Sequence, residues 1–184
     1  DLTIGQAVAC AGAGHAAHAE YIAVPRNLVA AIPEGLAFEE AAAATVATIA
    51  LHGFRLAEPT LGETVCVIGL GLVGLLCAQI ARAAGCRVIG IDLLDDRIDL
   101  AKRFGVELTL NAAAGSDALA MAVNEATRGR GADAVLVAAA TESSEPMITA
   151  TAVARDRARI VMVGAAGMEL ARGPFFQKEV SFSV

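Results

Sequence analysis

Between Thr64 and Ala81 eighteen consecutive residues, TVCVIGLGLVGLLCAQIA, carry no charge, and Gly69, Gly71 and Gly74 divide the run. An uncharged stretch this long either crosses a membrane as one helix or lies inside a protein core. Three glycines would interrupt a spanning helix, and the run lacks flanking basic anchors. It therefore predicts a buried strand that turns directly into a buried helix, with no membrane segment. Elements covered on both faces belong to a parallel sheet sandwiched between helices.

The alternation continues to the end of the chain. Strands are expected at 65–69 (VCVIG), 87–92 (RVIGID), 107–111 (ELTLN), 132–140 (ADAVLVAAA), 158–164 (ARIVMVG) and 180–184 (VSFSV). Helices are expected between them at 72–84, 95–105, about 117–127 and 146–155. Short apolar runs separated by helices predict an α/β fold, a doubly wound parallel six-stranded sheet in the order 3-2-1-4-5-6.

Upstream of Thr64 the pattern is different. Residues 1–30 hold short alternating stretches broken by Gly12, Gly14 and Pro25, as at the end of a small β domain, with a strand expected at Tyr21–Val24. Pro33-Glu34-Gly35 reads as a turn, and Phe38–Leu56 as one Ala-rich helix opened by Glu39 and Glu40. The expected division is 1–30 as a remnant and 31–184 as the main domain, its sheet starting at 64. The chain starts at Asp1 with neither Met nor a secretory signal pattern, and so reads as an excised piece.

Lys and Arg number 14 against 20 Asp and Glu, a net charge of −6, which argues against a nucleic-acid partner. Hydrophobic residues make up 56% and aromatic ones 4%, so the core must be aliphatic and the chain ordered. Cys10, Cys66, Cys77 and Cys86 form no CxxC pair. Four reduced thiols in a cytoplasmic protein is the expectation, and no metal site is.

Gly69-Leu70-Gly71-Leu72-Val73-Gly74 is a G-x-G-x-x-G placed where a strand becomes a helix. Gly69 permits the tight turn, Gly71 lets a pyrophosphate approach the backbone, and Gly74 lets helix and strand pack closely. Free N–H groups at the helix start would hold the phosphates. Asp92 ends the next strand, 21 residues past Gly71, where a carboxylate can accept both hydroxyls of the adenosine ribose. A 2′-phosphate there would meet a like charge, and Leu93 and Leu94 offer no cationic clamp. NAD is therefore expected ahead of NADP. Arg97 either reaches adenine or ribose, or pairs with Asp96 or Asp99 as a solvated helix cation.

HAEYIAVPRNLVAAIPEGLAFEEAA, VCVIGLGLVG, RVIGIDLLDDRIDLAKRFG and ARIVMVG, in that order and spacing, resemble the medium-chain dehydrogenase/reductase superfamily of zinc-type alcohol dehydrogenases. Within it the chain is similar to the alcohol-dehydrogenase-like half of some bacterial two-part oxidoreductases. The resemblance implies a GroES-like β domain, of which residues 1–30 match the end, and a Rossmann domain binding NAD(P). It implies a cofactor pocket of Gly69, Gly71, Leu72, Val73, Gly74, Asp92 and Arg97. Ala138 and Ala139 beyond the fourth strand, and Val163, Gly164 and Ala165 beyond the fifth, join it near the nicotinamide. Where zinc-dependent members carry a catalytic Cys and, four residues on, a Thr, this chain has Thr45 and Ile49. Neither can ligate zinc.

The catalytic residues stay unassigned. His15 and His18 lack a third ligand, and His52 is either a proton relay or an ordinary helix residue. The expected activity is hydride transfer between nicotinamide and a small-molecule alcohol or carbonyl, without catalytic zinc; the chain alone, lacking most of the catalytic domain, is expected to be inactive. The alternative is a non-catalytic NAD-sensing module. The last strand, VSFSV, offers an edge at which a homodimer could form as in that family.

Overall fold

The computed structural model describes residues 2–184; Asp1, the first residue of the expected remnant, lies outside them. The chain divides into two units, Asp1–Thr48 and Ile49–Val184. The first unit runs past residue 30: it takes in the end of its small sheet at Ala31 and the helical residues from Phe38 to Thr48. There β1 (Val8–Cys10) and β2 (Val29–Ala31) pair antiparallel, Val8 opposite Ala31 and Cys10 opposite Val29. The strand expected at Tyr21–Val24 is absent: these residues have no partner strand, and Tyr21 is 93% exposed. Pro25 and a single 3-10 turn at Arg26–Leu28 follow, and pairing starts only after them.

The single helix expected over Phe38–Leu56 is two, α1 (Phe38–Ala41) and α2 (Ala44–Ala57). Glu40 accepts the Ala37 N–H at 3.1 Å and so caps α1. The four alanines at 41–44 favour helix but supply no large side chain to hold one continuous face. The helix breaks there, with a turn at 42–43.

In the second unit the elements alternate as β3 (Thr64–Ile68), α3 (Leu72–Ala83), β4 (Arg87–Asp92), α4 (Asp95–Arg103) and β5 (Leu108–Asn111). Then come α5 (Ser116–Ala126), β6 (Ala132–Val137), α6 (Glu145–Val153), β7 (Ala154–Met162), α7 (Arg172–Lys178) and β8 (Ser181–Ser183). The sheet runs β5-β4-β3-β6-β7-β8, parallel throughout, which is the expected order. Alternate residues of each strand feed opposite layers. Val65, Val67, Val88 and Leu136 pack with α3 and α4 through Leu75, Ala78 and Ile98. Cys66, Ile89, Val135 and Ile160 pack with α5 and α6 through Leu119, Val123 and Met147. Each such aliphatic side chain contributes about 1.5–3 kcal/mol when fully buried.

Two expectations near the end of the chain need correction. The strand expected from 158 starts at Ala154, directly after α6, because Ala154 already pairs with Ala132; Lys178 Nζ caps that junction by donating to the carbonyls of Thr151, Ala152 and Ala154. Its pairing with β6 then jumps from Ala132–Ala154 to Ala134–Arg159, so three extra residues bulge out of β7. α7 was hidden in the sequence by Gly173 and Pro174, both of which a first helical turn tolerates. Among the described residues no helix is long and apolar enough to cross a membrane.

Candidate functional site

The strand order reverses between β3 and β6, so the connections after these two strands leave in opposite directions. In an open parallel sheet that point, at the carboxyl ends of the strands, opens a crevice. Gly69 makes the turn there with φ +92°, and its N–H donates to the Ile91 carbonyl at 2.8 Å.

The three glycines have different neighbours. A Cβ at Gly69 would lie 2.6 Å from the Ala139 nitrogen, and one at Gly74 would fall on the Gly69 carbonyl oxygen. Both positions are closed to side chains by the protein's own backbone. Gly71 is different: φ is −70°, and a Cβ would meet nothing nearer than Arg97 Nη1 at 3.9 Å. Folding does not require glycine there. No side chain caps α3, which leaves its first-turn N–H groups and the positive end of its dipole uncompensated by side chains. Leu72 is exposed and Val73 half-buried at that end.

Asp92 closes β4 and is 6% exposed. Its Oδ2 accepts the Leu70 N–H at 2.6 Å and its Oδ1 the Leu94 N–H at 2.9 Å. A carboxylate has about four acceptor sites, so each oxygen keeps one for a further donor. Arg97 Nη1 stands 3.7 Å from Asp92 Oδ2. Asp99 pairs instead with Lys102, and among the described residues Asp96 accepts only the Arg97 backbone N–H. Of the two roles open to Arg97, the structure thus places its guanidinium beside Asp92 and Gly71.

Across the reversal, Ala138 donates to the Ile68 carbonyl at 2.8 Å, and Val163 and Gly164 both donate to that of Val137 at 2.9 Å. Ala165 donates to Ala139 at 3.0 Å, and a Cβ on Gly164 would fall on the Ala139 oxygen. Ala138, Ala139 and Val163–Ala165 therefore form a close-laced backbone wall with little side-chain bulk. The expected strand over 132–140 stops at Val137, and this wall extends it. The structure brings all twelve expected positions to one edge of one sheet. Asn111, which sequence reasoning passed over, stands at that edge too, opposite Asp92 in the β4–β5 register. An Asn directly after an apolar run is a turn signal, which is how it could have been found.

A catalytic zinc does not fit the residues present. Thr45 offers a hydroxyl, which donates to the Cys10 carbonyl at 3.4 Å, and Ile49 offers only alkyl carbons. His15, His18 and His52 are exposed, and among the described residues no three His, Cys, Asp or Glu side chains converge. The four cysteines are free. Burial pushes the Cys66 thiol up to about 12 and the Cys77 thiol to about 11, which makes both poor nucleophiles and poor ligands.

Residues 73–183 match the family described as zinc-binding dehydrogenase. The chain is 36% identical over 130 residues to D-xylulose reductase A of Aspergillus oryzae, covering 68% of this chain and 36% of that protein. Among solved structures, an Escherichia coli short chain alcohol dehydrogenase complexed with NADH superposes with a TM-score of 0.75 at 28% identity, covering 87% of this chain and 47% of the other. A mycobacterial protein complexed with NADPH gives 0.78 at 25% identity, covering 89% and 51%. The chain thus spans about a third of that curated relative and about half of those solved ones.

Proposed function

This chain belongs to the zinc-binding dehydrogenase family, and from that premise we propose that it is the nucleotide-binding portion of an NAD-dependent oxidoreductase. The whole protein would pass hydride between nicotinamide and a small-molecule alcohol or carbonyl carbon. Gly71 carries the reading: the fold leaves room for a side chain there, and the sequence supplies none. Gly69, Gly71, Leu72, Val73 and Gly74 would hold the pyrophosphate through backbone N–H groups at the start of α3. Asp92 would accept the adenosine ribose hydroxyls on its remaining acceptor sites, with Arg97 alongside. Ala138, Ala139, Val163, Gly164 and Ala165 would form the flat wall on the nicotinamide side. The bound cofactor supplies the hydride-exchanging ring.

Relatives complexed with NADH and with NADPH both exist, so the family does not choose the cofactor. The choice of NAD rests on Asp92. A 2′-phosphate would come against a nearly buried carboxylate, and the nearest cation, Arg97, already stands 3.7 Å from it. Calorimetric titration of NAD+ and NADP+ into wild type and Asp92→Ala tests this. Losing the charged hydrogen bonds, about 1.5–3 kcal/mol, weakens NAD+ roughly ten- to hundredfold and NADP+ far less. Equal NAD+ affinity in the two proteins, or a wild type that prefers NADP+, contradicts it.

Thr45 supports hydride transfer without catalytic zinc; elemental analysis finding one tightly held zinc per chain would overturn that. The same residue favours a second reading, a non-catalytic NAD-sensing module, which substrate-dependent NADH formation by the whole protein excludes. The chain by itself is expected to turn over no alcohol. A cytoplasmic location fits the free buried thiols, and the outer edge of β8 is where a second copy would pair.

A further inference from the structure

Asp92 can act on a ribose only while its two oxygens are held in place. Oδ2 is fixed by Leu70, inside the glycine turn. Oδ1 is fixed by the N–H of Leu94, which lies in the linker between β4 and α4. That linker has little apolar anchorage, since Leu93 is 65% and Leu94 48% exposed. Among the described residues, only Asp92 and Asn111 reach it with side-chain hydrogen bonds.

The Asn111 side chain makes three hydrogen bonds, two of them to residues 93–95. Its Nδ2 donates to the Leu93 carbonyl at 3.3 Å and to Asp95 Oδ1 at 2.9 Å, while its Oδ1 accepts the Ala113 N–H at 2.9 Å. One side chain thus ties the end of β5, the turn after it, and both flanks of Leu94 into one unit. The register that sets Asn111 opposite Asp92 makes the reach possible.

We propose that Asn111 is a positioning residue for cofactor choice: by pinning the 93–95 linker it holds Leu94 against Asp92, and so fixes the carboxylate for a 2′-hydroxyl and against a 2′-phosphate. The inference rests on the reading of Asp92 as the ribose acceptor. Without the pin, Oδ1 loses its fixed donor and the carboxylate must be ordered anew each time the cofactor binds, a cost a preorganised site avoids. That cost falls on NAD, which uses the carboxylate, and spares NADP, which is repelled by it.

The test is calorimetric titration of NAD+ and NADP+ into wild type, Asn111→Ala and Asp95→Ala, with a thermal melt of each. Asp95→Ala removes one partner of the pin from the helix start and leaves β5 untouched, so it reports even if Asn111→Ala fails to fold. The expected result is a three- to tenfold loss of NAD+ affinity in Asn111→Ala, on the order of one neutral hydrogen bond. NADP+ affinity stays within about twofold, so the preference ratio falls, and Asp95→Ala shows the same change in smaller measure. A loss shared equally by both cofactors would reduce Asn111 to a structural role and overturn the proposal, as would an unchanged ratio in both variants. Failure of the underlying reading looks different: wild type itself then shows no NAD+ preference, whatever the variants do.

Discussion

Three glycines within six residues lie in unlike surroundings, and only the neighbours of each position tell them apart. Gly69 and Gly74 are forced by backbone atoms of Ala139 and of Gly69 itself, whereas Gly71 faces no such neighbour. Spacing alone made all three look alike. The place of Asp92 at the end of an apolar strand was legible, but its bonds to Leu70 and Leu94 were not, since both depend on how two connections meet in space. Asn111 was missed for the same reason: its partners lie 16 and 18 residues away in sequence. The buried thiols make a residue-scale prediction about pH. With the ordinary value at 9.0 and the folded values near 12 for Cys66 and 11 for Cys77, the unfolded chain ionises first as pH rises. Their contribution is therefore complete below pH 9.0 and is lost as pH climbs towards 11 and 12, by up to about 1.4 kcal/mol per pH unit per thiol. Urea unfolding from pH 8 to 11 should show this slope, and Cys66→Ala should make it shallower; an identical slope in the variant would remove Cys66 as a cause.

Elements were legible where hydrophobic pattern and burial coincide. RVIGID became β4 with its expected ends, because five of its six residues are buried and a charged helix start follows. Tyr21–Val24 is as apolar but has no partner, and the three-residue β1 is too short to carry a pattern. The bulge in β7 is another such case. Arg157 sits there at φ +58°, a left-handed conformation costing roughly 1–2 kcal/mol for a residue with a Cβ. Its ion pair with Glu179 at 2.9 Å is solvent-exposed and returns little. Arg157→Gly should therefore stabilise the protein by a few tenths to about 1 kcal/mol after the entropy cost of glycine. Calorimetric melting would show a rise of about 1–4 °C. A fall in melting temperature would mean that the ion pair outweighs the strain.

At the scale of the whole second unit, the two edges of the parallel sheet are built differently. At the amino edge the charges are mutually satisfied: Asp133 accepts the Thr64 N–H at 2.8 Å, Arg155 Nε at 2.6 Å and Arg130 Nη2 at 3.4 Å, joining β3, β6 and β7. The carboxyl edge holds a glycine turn, an uncapped helix start and a carboxylate with acceptor sites to spare. That asymmetry follows from the strand order, which was legible from the alternation of apolar runs and helices alone. What it could not show was which glycine the fold does not need. The central claim is that Gly71 exists for a dinucleotide and not for the fold, so the most direct measurement compares wild type and Gly71→Ala in two experiments, a thermal melt and NAD+ titration. The account predicts that the variant folds and melts within about 4 °C of wild type, the N-cap preference for glycine over alanine setting any loss, together with at least a tenfold loss of NAD+ affinity, about 1.4 kcal/mol or more. A variant that binds NAD+ as wild type does, or one that fails to fold, would contradict it.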